Sequence, residues 1–84
     1  MNRNQQLAHE YGKELKALFP QIEVVGIVPS LTDQDEYWVE VRYPEDEFEQ
    51  MRVKWEAAKL TDRFYQDHGA HIIPLTAKQS YPVS

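Results

Sequence analysis

Apolar residues recur at helical spacing near the start of the chain. Over residues 4–18 they fall every three or four positions, which would place them on one face of a helix: Leu7, Tyr11, Leu15 and Leu18. Phe19 precedes Pro20, and a residue before proline is disfavoured in the α conformation, so we expect the helix to end there. Gly12 lies within this helix, where it either allows another element to approach closely or is simply tolerated.

Two strand-like stretches follow. Residues 22–28 (IEVVGIV) are β-branched with apolar positions pointing both ways, which is typical of a central strand or one covered on both faces. Gly26 indicates a bulge or a close backbone approach. Residues 37–43 (YWVEVRY) alternate, so we expect the tyrosines and valines to face the core and Trp38, Glu40 and Arg42 to face away.

A long helix is predicted after the second strand. Pro44 and the acidic residues 45–47 favour a helix start, and Gly69 favours an end after His68. The helix carries two adjacent apolar stripes: Phe48, Met51, Trp55 and Ala58 in one, and Val53, Ala57, Leu60 and Phe64 in the other. Its length, roughly 36 Å at 1.5 Å per residue, predicts either a break near Thr61 or an end that projects beyond the sheet.

Residues 70–75 (AHIIPL) predict a final strand. Because proline cannot donate to a ladder, this strand either lies at a sheet edge or ends at Pro74. A strand–helix–strand unit implies a right-handed crossover between parallel strands. We therefore predict an α+β domain of αββαβ order over residues 1–76. It has a small mixed three-stranded sheet with two helices packed on one face, followed by a flexible tail over residues 77–84.

The composition of the chain disfavours or excludes several classes of function. The chain has 84 residues, enough for one core, and 14 acidic against 9 basic residues give a net charge of −5, which disfavours sequence-independent nucleic-acid binding. Cysteine is absent, so disulfides, thiolate nucleophiles and cysteine-based zinc sites are excluded. The N-terminal residues lack an apolar leader and no apolar run could span a bilayer, so we expect a cytoplasmic protein without membrane contact.

The polar stretch between the first two strands is the place where catalytic chemistry could reside. Ser30, Asp33 and Asp35 could hold Mg²⁺ together with the phosphates of a nucleotide. The alternative is a solvated turn, in which aspartate bonds its own backbone. The three histidines lack the spacing of a metal site and no phosphate-binding loop is present, so no resident metal or cofactor is expected unless the nucleotide hypothesis holds.

Basic residues share one face of the long helix: Arg52, Lys59 and Arg63. With Trp55 beside them they could contact RNA, where aromatic side chains stack on bases. Ion pairs four residues apart, Arg52 with Glu56 and Arg63 with Asp67, are the alternative.

The order of elements resembles the minimal nucleotidyltransferase domain. In the stretch VVGIVPSLTDQDEYWVEV, Pro29-Ser30 would stand at the family's Gly-Ser turn and Asp35 at its first catalytic aspartate. Tyr37 would replace the second aspartate, and His71 and Ile73 stand where the third carboxylate is expected. The resemblance implies a degenerate member without catalysis, because two-metal phosphoryl transfer needs those carboxylates.

The same order also resembles the type II KH fold and the BolA-like proteins that share it. The Gly-x-x-Gly loop of the first and the Arg-His-Arg run of the second are absent, although His71 stands near the corresponding strand.

The surplus of apolar residues on the long helix favours a different hypothesis. We expect a non-catalytic interaction module that contacts another protein or a second copy of itself. The contact surface would include Met51, Arg52 and Trp55, extended by Lys59 and Arg63, or it would use the edge strand near Ile72-Ile73.

Overall fold

The computed structural model describes residues 3–30 and 36–77. Its elements are α1 (Arg3–Leu18), β1 (Glu23–Pro29), β2 (Glu36–Arg42), α2 (Glu47–His68) and β3 (His71–Thr76). The strands lie in the order β1-β2-β3, with β1 antiparallel and β3 parallel to β2. The predicted α+β class, element order and mixed sheet are confirmed, and α2 is the crossover between the parallel strands.

Both helices cover the same face of the sheet. α1 lies over β1 and β2, while α2 packs against β3 and α1. On β2, Tyr37, Val39 and Val41 are buried against the helices, while Trp38 and Glu40 are half-buried on the opposite face. The alternation along β2 therefore predicted the core correctly, and the other face of the sheet is left without a covering element among the described residues.

β1 is an edge strand, so its predicted central position is wrong. The β1–β2 register shifts between Val24 and Gly26, which leaves Val25 as an extra, exposed residue. This bulge lets Val24 and Ile27 both pack against the core although they are an odd number of residues apart. The two-sided apolar pattern of the strand thus comes from a bulge at the predicted glycine, and not from burial on both faces.

α2 begins and ends at defined caps. The Asp46 side chain accepts hydrogen bonds from the backbone N–H groups of Phe48 (2.8 Å) and Glu49 (3.2 Å), so the helix starts after Pro44 and does not include it. Gly69 adopts a left-handed conformation with φ 67° and donates its N–H to the Tyr65 carbonyl, as the sequence predicted.

α2 is also continuous. It has 22 residues, roughly 33 Å at 1.5 Å per residue. The predicted break near Thr61 is therefore not found, and Thr61 instead uses its hydroxyl to share a 2.9 Å hydrogen bond with the Tyr11 hydroxyl. This contact ties the middle of α2 to α1.

The domain extends slightly further than predicted. Ala77, the first residue of the predicted tail, is buried and donates its N–H to the Val41 carbonyl at 2.9 Å. The remaining residues of that tail, 78–84, lie outside the described residues. Of the two described helices, neither has the length and hydropathy needed to cross a bilayer.

Candidate functional site

The two apolar stripes of α2 have opposite environments. One stripe is buried in the core: Val53, Ala57, Leu60 and Phe64. In the other stripe, Phe48 is 80% exposed and Met51 and Trp55 are each 68% exposed. Three large apolar side chains on one helix face therefore contribute little to the core of this chain.

The two stripes lie on opposite sides of α2, so the prediction that they are adjacent is wrong. With 3.6 residues per turn, Trp55 lies roughly 160° around the helix from both Val53 and Ala57, which are buried on either side of it in sequence. Phe48, Met51 and Trp55 follow the spacing i, i+3, i+7, which aligns them over two turns. The stripe points away from the core along the N-terminal half of α2.

The end of α1 widens this surface. α1 and α2 run antiparallel, since the Arg3 guanidinium donates to the His68 carbonyl at one end. At the other end, the Gln21 amide donates to the Glu49 carboxylate. An open groove of about 500 Å³ lies between the end of α1 and α2, lined by Leu18, Phe19, Phe48, Met51, Arg52, Trp55 and Glu56. We call Leu18, Phe48, Met51 and Trp55 the apolar patch.

Leu18 corrects one expectation. Its spacing placed it on the apolar face of α1 with Leu7, Tyr11 and Leu15, yet its side chain is 58% exposed. Phe19, the residue immediately after the helix, is buried in its place, and its N–H donates to the Leu15 carbonyl. Periodicity within α1 could not reveal this exchange, because it depends on how the chain turns after the last helical residue.

The basic residues beside the apolar patch are paired with carboxylates. Arg52 contacts Glu49 at 3.4 Å, Lys59 contacts Glu56 at 3.5 Å, and Arg63 forms an ion pair with Glu14 of α1. These are not the i,i+4 partners that the sequence predicted, because i,i+3 neighbours and a facing helix also bring carboxylates within reach. The pairs are exposed, so each contributes little to stability.

This pairing limits what the basic face can bind. Each of the three predicted cations lies beside a carboxylate, which weakens the positive potential that phosphate groups require. Lys59 also lies over the Trp55 ring at 5.7 Å from its centroid, so that ring face is partly occupied by a side chain of the same helix.

The polar stretch between β1 and β2 has its two described ends close together. Ser30 is half-buried, and its N–H donates to the Glu36 carbonyl at 2.9 Å. Asp33 and Asp35 lie outside the described residues. Within residues 3–30 and 36–77, no three histidine or carboxylate side chains are grouped so that they could hold a metal ion. The magnesium and nucleotide hypothesis stays a prediction.

Two tyrosines have shifted titration. Burial raises the pKa of Tyr11 to about 12, partly offset by its hydrogen bond with Thr61, and burial also raises the pKa of Tyr43. Tyr11 is fully buried and donates its hydroxyl to the Ala57 carbonyl at 2.9 Å. Together with the hydrogen bond to Thr61, this contact joins α1 to α2.

The uncovered sheet face provides a second, smaller exposed apolar area. Val28, Trp38 and Ile73 are neighbours across the three strands, and Leu75 follows on β3. Of the predicted edge pair, Ile72 is buried in the core and Ile73 is exposed. Only the second of these two residues is therefore available to a partner.

Comparison of this chain with protein-family models, with curated proteins and with solved structures found no match. What can be inferred about function rests on its own surface.

Proposed function

We propose that this chain is a non-catalytic protein-interaction module, and that its apolar patch docks an apolar helical segment of a protein partner. The observation that carries the proposal is the outward position of Phe48, Met51 and Trp55 on a helix whose opposite face already supplies the core. Large apolar side chains that cluster on a surface favour removal from water by a partner.

The shape of the apolar patch supports a helix as the docked element. Phe48 and Trp55 are separated by two helical turns, roughly 10 Å. A partner helix with apolar residues at i, i+3 or i+4, and i+7 presents its side chains over the same distance. The groove beside Leu18 provides room for one such side chain between α1 and α2. Aromatic residues with a flanking arginine are also the types enriched where binding energy concentrates.

A photo-crosslinking residue at position 55 tests the proposal in the cell. We expect it to capture a defined protein, and we expect the crosslinked peptide of that protein to be helical and apolar. The matched control carries the same residue at Gln66, which is exposed on the same side of α2 but outside the apolar patch. Equal capture from both positions would contradict the proposal, because it would show contact without selectivity for the apolar patch.

A further inference from the structure

The self-complementary shape and charge of α2 identify one occupant for the apolar patch. Resting on the function proposed above, we infer that the docked helix is α2 of a second copy. The two helices would pack antiparallel about a twofold axis near Arg52. A twofold contact uses the same surface on both copies, so each chain supplies both the groove and the side chains that fill it.

Residue spacing fits this arrangement. The midpoint between Phe48 and Trp55 falls between Met51 and Arg52. An axis at that point places Phe48 of one copy opposite Trp55 of the other and brings the two Met51 side chains close together. Every large apolar residue of the exposed stripe then meets an apolar residue, and aromatic pairs of this kind add to the energy of burial alone.

Charge along α2 favours the antiparallel direction. Residues 45–47 are all acidic, and none of the described residues forms an ion pair with Glu45 or Glu47. Lys59, which contacts Glu56 of its own chain, lies roughly 18 Å along α2 from Glu47 at its start. The axis near Arg52 therefore brings Glu45 of one copy, just before the helix, toward Lys59 of the other. A parallel pair would instead place like charges side by side. The Arg52 side chains meet near the axis, where their own contacts with Glu49 offset the repulsion.

The area available predicts a weak dimer. An aromatic side chain can bury roughly 150–250 Å², so the exposed fractions of Phe48 and Trp55 give roughly 450–750 Å² for two copies. Leu18, Met51 and the stems of flanking charged residues increase this total toward about 1,200 Å², the lower end of specific interfaces. Association should therefore depend on concentration in the micromolar range or above.

The first measurement is the solution mass of the purified chain between roughly 10 µM and roughly 1 mM. We expect the mass to rise from 9.9 kDa toward twice that value. Trp55→Ser should keep the lower mass throughout, and Gln66→Ser should behave as the unaltered chain. Both side chains are exposed, so neither substitution should impair folding.

Single cysteines test the geometry, because the natural chain has none. With a short thiol-reactive crosslinker, Arg52→Cys should join to itself, since this position lies at the axis. Glu45→Cys and Lys59→Cys should each fail to join to themselves but should join to each other when mixed. Gln66→Cys should not join to itself, because antiparallel packing carries it far from its counterpart.

The outcomes separate the two proposals. A mass of 9.9 kDa at every concentration overturns the second copy as occupant, while capture of a different protein from position 55 would still support the proposed function. A dimer in which Lys59→Cys or Gln66→Cys joins to itself as efficiently as Arg52→Cys overturns the antiparallel arrangement. A dimer that Trp55→Ser leaves intact overturns the use of the apolar patch.

Discussion

Tyr11 shows how a single buried residue sets a pH dependence. Its pKa of about 12 in the folded chain lies above the ordinary value of 10.0, so the folded state holds a proton that the unfolded state releases. The stabilisation is complete below pH 10 and is lost as the pH rises toward about 12. We expect the free energy of unfolding to fall over this interval, and to fall less steeply in Tyr11→Phe.

Urea denaturation at a series of alkaline pH values measures this effect. In Tyr11→Phe the free energy of unfolding should still fall as the pH rises, because the raised pKa of Tyr43 contributes in the same direction. At neutral pH, Tyr11→Phe should cost about 1 kcal/mol, since its hydrogen bonds to Ala57 and Thr61 are lost. Tyr65→Phe is the control, because Tyr65 is half exposed. If the free energy of unfolding falls equally steeply with pH in the unaltered chain and in Tyr11→Phe, Tyr11 is not a source of this pH dependence.

Gly12 has no Cβ atom, which allows α1 to lie close to Val24 of β1. A Cβ atom at this position would lie 3.2 Å from Cγ1 of Val24 and 3.7 Å from Cγ1 of Val39. Alanine should stabilise α1 by about 1 kcal/mol through its higher helix propensity, but the close contact with Val24 opposes this stabilisation. We expect Gly12→Ala to be more favourable by about 1 kcal/mol when Val24 is also replaced by alanine, as a double-mutant cycle would measure. If the effects of the two substitutions on the free energy of unfolding simply add, the close approach of α1 and β1 is not the reason for glycine at position 12.

At the scale of the element, the Asp46 cap fixes where α2 begins. Asp46→Ala should reduce the free energy of unfolding by about 1 kcal/mol, because the N–H groups of Phe48 and Glu49 lose their acceptor. Asp46→Asn keeps an acceptor oxygen and should cost less. Thermal and urea unfolding measure both variants, and an equal loss in the two would point to the charge rather than the cap.

The same element shows what sequence patterns can and cannot predict. Alternation and capping residues identified β2, the C-terminal end of α2 and the order of all elements, since these depend on local chemistry. The predicted start of α2 at Pro44 was too early, because Asp46 is the N-cap. The two stripes of α2 are similarly apolar, so the pattern could not decide which one faces the core. That choice depends on α1 and the sheet, since Tyr11 of α1 contacts Ala57 and Phe64 on the buried stripe of α2. The exposure of Leu18 has a different cause, because it depends on how the chain turns after α1 to bury Phe19.

At the scale of the whole molecule, the two faces of α2 should respond differently to substitution. Leu60→Ala removes a buried side chain and should cost about 2–5 kcal/mol. Met51→Ser changes a side chain that the isolated chain leaves in water, so the change should stay within about 0.5 kcal/mol in dilute solution. Unfolding of the two variants at low protein concentration makes this comparison. A large cost for Met51→Ser in dilute solution would assign Met51 to the core.

Concentration then distinguishes folding from association. If two copies pair through the apolar patch, mass action stabilises the folded chain as the protein becomes more concentrated. The unfolding midpoint of the unaltered chain and of Leu60→Ala should therefore rise with concentration, while that of Met51→Ser should rise much less. The change of the unfolding midpoint with protein concentration reports the contact between copies. The unfolding midpoint in dilute solution reports the stability that the core provides. A midpoint that does not depend on concentration in any variant would leave the apolar patch without a second copy to cover it, since Phe48, Met51 and Trp55 are exposed in the single chain.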